Sequence, residues 1–240
     1  MASVRGILTD IEGTTTPVSF VYDVLFPYAE ARLEEACARA SSVPAVAAAV
    51  EQLGKEYRAE AGSGALDGVE LGDGSPYARW LMSQDRKSTG LKMLQGLIWE
   101  DGYRDGSLRA QVYDDVPAAL AAWHEAGLRL RIYSSGSVLA QKLLFGHTDH
   151  GDLTPLFEGY HDTTTGPKMA AGSYRKIAEA YGLEPGAVLF LSDVPAELDA
   201  AAEAGMRTAL LKRPGNKPVS EDCPHAAYRS FAELDDLLGL

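Results

Sequence analysis

The chain has 240 residues, 46% of them hydrophobic and 23% charged, a composition suited to one large globular domain or to a core with a sizeable insert. Lys and Arg total 22 against 34 Asp and Glu, a formal net charge of −12. Such a surface repels nucleic acid and anionic membranes, so neither is an expected partner, and a site for phosphate esters must concentrate its own positive charge.

Residues 4–11 read as a short buried strand that delivers Asp10 and Glu12 at its end, where Gly13 lets the backbone turn away. In extended chain, residues two apart point to the same side, so both carboxylates are expected to leave the strand together. Two converging acids suit a hard, oxygen-seeking cation or a carboxylate nucleophile; a loop acid with an N-cap is the plainer alternative. From Phe20 to about Ala61 apolar residues recur at helical spacing (Val21, Leu25, Tyr28, Ala29, Leu33, Ala36), with an alanine-rich helix over 44–59 and Pro44 near its start. The glycine-rich run 61–75 reads as a loop. A third helical region carries Trp80, Leu81, Leu91, Leu94, Leu97 and Trp99, on which Lys87, Lys92, Gln95 and Trp99 can share a face. About 90 residues thus pass with no confident strand.

After Tyr113 the pattern changes. Asp115-Val116-Pro117 opens a helix that Gly127 closes, and Leu128, Leu130 and Ile132 then alternate with arginines in a strand ending at Tyr133-Ser134-Ser135-Gly136-Ser137. A helix follows from Val138 to about Phe145. A short strand is expected over Gly159–Asp162, then Thr165-Gly166-Pro167-Lys168 and a helix from about Ala170 to Tyr181. The most apolar run, Ala187 to Leu191, ends in Ser192-Asp193-Val194-Pro195, and an alanine-rich helix continues to Ala204. Thr208–Leu211 is a last expected strand, before Arg213-Pro214-Gly215-Asn216. Strands alternating with helices imply an α/β fold, a doubly wound parallel sheet covered on both faces, with ligands beyond the carboxyl ends of the strands. Cys37 and Cys223 offer neither metal spacing nor a disulfide framework. MASVRGILTD lacks the apolar core of a signal peptide, and no apolar run approaches the ~18 residues of a membrane span, so a cytoplasmic protein is expected.

Asp10/Glu12, Ser134/Ser135, Lys168 and Asp193 all fall at or just beyond an expected strand end or βα turn. The serines precede a helix, where free backbone N–H groups and hydroxyls can bind phosphate, although such a turn is commonly only a helix cap. Lys168 is a compact positive charge for phosphate oxygens and for an attacking carboxylate, although lysines are mostly at the surface. Asp193, ending an apolar strand, is placed to complete a Mg²⁺ site with Asp10; a helix N-cap is the alternative role. His147 ends a helix, where capping outweighs acid–base chemistry, and His124, His150, His161 and His225 show no ligand spacing.

Taken in order, these four motifs resemble the layout of the haloacid dehalogenase-like (HAD) phosphotransferases. The resemblance implies a Rossmann-like HAD core over 1–19 and 114–240, with an α-helical cap inserted at 20–113. It implies Asp10 as the nucleophile toward phosphorus, Lys168 as the residue steadying the charge, and Asp10, Glu12 and Asp193 as the Mg²⁺ positions. Ser134, Ser135 and Lys168 are then the substrate-binding residues, and Glu197 matches the trailing acid of the last motif. Most phosphatases of this family carry Asp-x-Asp where this chain has Asp10-Ile11-Glu12-Gly13-Thr14-Thr15. That variant resembles a branch of the family that acts in methionine salvage. So do Ile132–Val138, Gln141–His147, Leu91–Gly96 and Arg213–Asn216. The likeness implies a small phosphorylated diketone substrate, enolised and then dephosphorylated; a monomer is expected. Three rivals remain at this stage: a phosphosugar mutase or general phosphatase, a non-catalytic binding protein, and a metal-independent dehalogenase. Mutases carry Asp at the place of Glu12; a binding protein has no need of Asp10 and Lys168; a halide leaving group needs no second carboxylate.

Overall fold

In the computed structural model of the chain, residues 3–61, 64, 66 and 68–238 are described. Of the loop expected over 61–75, residues 62, 63, 65 and 67 lie outside that set, as do the first two of the N-terminal decapeptide.

The apolar segments after Arg5 and after Ala187 become the two central strands. β1 (Gly6–Thr9) is buried throughout, and so is the later strand Val188–Ser192. Burial on both faces requires helices above and below, which favours parallel strands linked by crossovers. After β1 comes a run of helices of irregular length. A π-helical turn (Phe20–Leu25) leads into α1 (Phe26–Glu30), followed by α2 (Leu33–Ala38), α3 (Pro44–Glu60), α4 (Ser75–Ser83) and α5 (Thr89–Asp105). The chain then returns through α6 (Val116–Glu125) to β2 (Arg129–Tyr133), α7 (Val138–Gly146), β3 (Phe157–His161) and α8 (Ala171–Tyr181). The second central strand is β4 (Val188–Ser192), succeeded by α9 (Pro195–Glu203), β5 (Arg207–Leu211), β6 (Ala227–Tyr228) and α10 (Asp235–Leu238).

Among the described residues six strands run parallel in the order β3-β2-β1-β4-β5-β6. The chain winds from β1 outward through β2 and β3, then crosses back to lay β4 on the other side of β1. The winding therefore reverses at β1/β4, where ligands gather in sheets of this kind. Leu8, Val188, Phe190 and Leu210 pack with Tyr174, Ile177 and Tyr181 of α8 and Leu198 and Ala201 of α9 in one apolar cluster.

The chain divides into two compact units, residues 1–21 with 109–240, and residues 22–108. The second has a core of its own, in which Leu33, Val46, Ala49, Leu53, Tyr77, Leu81, Leu94 and Ile98 meet. Helix α5 comes so close to α3 that a methyl group on Gly90 would stand 2.7 Å from Leu53 N. Trp99 Nε1 donates to Leu25 O at 2.9 Å, and Gln95 is buried, so the polar face expected there is partly interior.

β1 is shorter than the strand expected over 4–11, and this changes the argument for Asp10 and Glu12. Extended pairing stops at Thr9; then Thr14, Thr15 and Thr16 all donate their N–H groups to Ile11 O, at 3.2, 3.0 and 2.9 Å. The relation of Glu12 to Asp10 is therefore set by a tight turn, and two-residue strand alternation does not operate there. β6, which pairs with β5, was not expected, because two residues give no periodicity to read.

Candidate active site

Asp10 is the first residue past β1, and its N–H still donates to Leu191 O of β4 at 2.9 Å. The register pairs Thr9 with both Ile132 and Leu191, so the chain leaves β1 between the ends of β2 and β4. Asp10 is buried and its Oδ1 lies 2.7 Å from Lys168 Nζ. The same ammonium is 2.6 Å from Glu197 Oε2, which also accepts from Ser192 Oγ at 3.0 Å. Lys168, a residue type mostly found at the surface, is thus buried between two carboxylates. Burial opposes its charge, but Asp10 and Glu197 outweigh burial and hold its pKa above the ordinary lysine value.

Three buried hydroxyl-bearing side chains hold the loop carrying Lys168. Tyr133 OH donates to Gly166 O at 2.9 Å, Ser173 Oγ to Pro167 O at 2.8 Å and Tyr174 OH to Lys168 O at 2.7 Å. An apolar strand end and helix α8 thereby aim one long side chain at the end of β1.

Asp193 follows Ser192 at the end of β4. It does not cap α9: the capping position is Val194, and Val194 N donates to Ser192 Oγ at 3.1 Å. Its carboxylate instead lies against Gly13, where a methyl group would overlap Asp193 Oδ2. Gly13 has φ +67°, a conformation that only glycine adopts at low cost. Burial, then the charge of Asp10, pushes the Asp193 carboxyl up to about 7. Burial and Asp10 likewise raise Glu197. Three carboxylates thus crowd a single ammonium, and the excess is negative.

That excess is the test for a cation, and the site passes it. Among the described residues no group of three or more His, Cys, Asp or Glu side chains is assembled to hold a metal. Asp10, Glu12 and Asp193 therefore form no closed cage. Mg²⁺ rarely uses one; it takes one or two carboxylates and fills its other positions with water and substrate phosphate.

Ser134 and Ser135 follow β2. The N–H groups expected to be free for an anion are mostly engaged: Gly136 N donates to Ser134 Oγ at 3.2 Å, Val138 N to Asp162 Oδ2 at 3.3 Å and Ala140 N to Ser137 Oγ at 3.2 Å. Ser137 is the helix cap, so phosphate binding at this turn would rest on hydroxyl hydrogens rather than on the helix end. His147 closes α7, its Nδ1 2.9 Å from Leu143 O. Glu12 is half-buried and joined to Thr16 by an isolated bridge. The structure thus gathers Asp10 and Lys168 directly, with Glu197 as a third member. Glu197 sits four residues after Asp193, one helical turn on, and that spacing was its only signal.

A parallel sheet whose winding reverses beside a lysine-paired aspartate is the setting of an α/β hydrolase built around a carboxylate nucleophile. A haloacid dehalogenase-like hydrolase profile matches residues 4–205. Enolase-phosphatase E1 of Synechococcus elongatus is 51% identical over 234 residues, covering 97% of this chain and 98% of its own. Enolase-phosphatase E1 of Thioalkalivibrio sulfidiphilus is 54% identical, over 94% and 96% of the two chains. The crystal structure of the UTR4 protein of Saccharomyces cerevisiae superposes with a TM-score of 0.78 at 35% identity, over 95% of this chain and 98% of that one. The chain belongs to the enolase-phosphatase E1 family of the HAD-like hydrolases.

Proposed function

We propose that the protein is a Mg²⁺-dependent enolase-phosphatase of methionine salvage. It would convert 2,3-diketo-5-methylthiopentyl-1-phosphate into the acireductone 1,2-dihydroxy-3-keto-5-methylthiopentene and phosphate. The observation that carries the phosphatase half is Lys168 Nζ clamped between Asp10 Oδ1 and Glu197 Oε2 at the point where the sheet reverses. The relatives carry the enolase half. No helix among the described residues is long and apolar enough to cross a membrane. A monomer working in the cytoplasm, with residues 20–113 as its cap, completes the reading.

In the first reaction a base removes a proton from the carbon bearing the phosphate, the electron pair moves through the new carbon–carbon double bond onto the neighbouring carbonyl oxygen, and that oxygen takes up a proton to give the enol. In the second, Asp10 attacks phosphorus. Lys168 occupies Oδ1, which leaves Oδ2 as the attacking oxygen. The phosphorus–oxygen bond to the enol breaks as the aspartyl phosphate forms, and Glu12 gives the leaving oxygen its proton. Water then attacks phosphorus, Glu12 takes the proton of that water, and Asp10 is regenerated. Lys168 keeps its ammonium against the oxygens throughout, a preorganised charge that needs no rearrangement. Ser134 and Ser135 orient the phosphoryl group. Asp10 and Asp193, with an oxygen from Glu12, would hold Mg²⁺, which when bound polarises the phosphoryl oxygens.

The decisive experiment follows the diketone phosphate in deuterated water, reading deuterium at the phosphate-bearing carbon alongside phosphate release. Wild type should show both, and full turnover in excess chelator would remove the metal from the reading. Glutamate reaches about 1.5 Å further than aspartate, one carbon–carbon bond. Glu12→Asp should therefore impair exchange more than it impairs hydrolysis of a simple phosphate monoester. Equal losses would confine Glu12 to phosphoryl transfer and move the enolising base elsewhere.

A further inference from the structure

Asn216 lies in the loop after β5, at the end of Arg213-Pro214-Gly215-Asn216. Its Nδ2 donates to Gly13 O at 2.9 Å and to Leu211 O at 3.0 Å. Both partners are carbonyls, which only accept, so these two bonds settle which end of the amide is oxygen. The oxygen then faces away from both. Asn216 Oδ1 is buried and has no hydrogen-bond donor among the described residues. A buried acceptor of this kind is unfavourable unless something arrives to satisfy it.

Its position says what would arrive. A methyl group on Gly13 would overlap Asp193 Oδ2 and would stand 2.8 Å from Asn216 Oδ1. The two oxygens therefore converge on one face of Gly13, and both are acceptors when Asp193 is ionised. Two acceptors meeting at one place call for a donor with two protons or for a cation carrying one. Water on a divalent cation meets that need, because the cation makes its protons strong donors. Mg²⁺ keeps several such waters.

We propose that Asn216 is a positioning residue of the cation site, its Oδ1 accepting a hydrogen bond from a water carried by the cation beside Asp193. Through Nδ2 the same side chain holds Gly13 O, so one amide ties the turn after Asp10 to the hydration shell of the metal. The inference rests on the metal-dependent reading above.

The test is calorimetric titration of the full-length protein with MgCl₂, without substrate. Wild type should bind and Asp193→Asn should not; if wild type takes no Mg²⁺, the metal-dependent reading itself fails. Asn216→Ala removes both the oxygen and the donors to Gly13 and Leu211. Its Mg²⁺ affinity should fall about 10- to 100-fold, the usual effect of losing a group that orients a metal's own ligands. Asn216→Asp keeps an acceptor at the same reach but loses the same donors. It should bind Mg²⁺ at least as well as wild type, while its thermal midpoint without metal drops as that of Asn216→Ala does. If wild type binds and Asn216→Ala binds equally or more tightly, the inference is overturned. It is overturned equally if Asn216→Asp is as weak as Asn216→Ala, because the loss then belongs to the loop contacts.

Discussion

Lys168 shows how far a tertiary contact can move one residue from its ordinary habits. It is 8% exposed, and two carboxylates share its ammonium. Lys168→Met keeps much of the length and removes the charge, leaving Asp10 and Glu197 facing each other in a buried site. Turnover should fall about 10²- to 10³-fold, the scale of losing one preorganised electrostatic donor. Steady-state kinetics with intact folding, verified by circular dichroism, checks this; near-wild-type turnover would return Lys168 to a structural role. His161 carries a second prediction. Burial first, and the Arg131 charge next, lower its pKa to about 4 from an ordinary 6.5. Between those values the unfolded chain binds the proton and the fold does not, so stability rises with pH across the window. The contribution of the neutral ring is complete above about pH 6.5 and lost as pH falls toward 4. In His161→Gln the urea midpoint should change less between pH 6.5 and 4 than in wild type. An unchanged slope would assign the acid sensitivity to other groups.

At the scale of the element, the turn 11–16 sets the geometry of the site. Arg213 Nε donates to Thr14 O at 3.1 Å, while its Nη1 is 2.9 Å from Asp115 Oδ1 and donates to Arg229 O at 3.0 Å. Tyr113 N donates to Thr15 O at 3.0 Å. The turn is thus pinned from the C-terminal loop and from the segment returning to the sheet. Gly13 is its tightest point. Gly13→Ala meets two costs together, a left-handed φ of +67° and overlap with Asp193 Oδ2. The carboxylate must move, and a displacement of about 1 Å at a reacting centre can cost on the order of 10²-fold in rate. Weakened Mg²⁺ binding should accompany the lost turnover in calorimetry. Wild-type behaviour in both assays would mean that Asp193 does not lean on Gly13 when the enzyme works.

For the whole molecule, two separate cores predict two separable responses. Gly90→Ala drives a methyl group toward the Leu53 backbone between α3 and α5. Overpacking of that kind costs about 1–3 kcal/mol and should be confined to residues 22–108. On the metal-dependent proposal Mg²⁺ would act on the other unit, because a ligand stabilises the state that binds it, by about 2.7 kcal/mol at a hundredfold excess over Kd. Hydrogen exchange read by mass spectrometry should show Gly90→Ala loosening peptides of α3 and α5, and Mg²⁺ tightening those of β1, β4 and α9. Uniform changes over all peptides in both experiments would show that the two units unfold as one.

What the sequence determined by itself was local. Apolar runs ending in acids, serines and glycines marked β1, β2 and β4 within about two residues, since strand burial and turn chemistry are written in neighbouring side chains. The helix over 44–59 was legible for the same reason, and α3 runs from Pro44 to Glu60. Four motifs in order also sufficed to name the family. Strand order belongs to the tertiary structure alone: nothing near Val188 says that it will lie beside Gly6, because the pairing depends on where the intervening helices can pack. That crossover sets Asp193 against Gly13, beside Asn216, and puts Glu197 on Lys168. The turn after Asp10 was equally hidden. Three N–H groups converging on Ile11 O are a matter of backbone closure, which side-chain periodicity does not record.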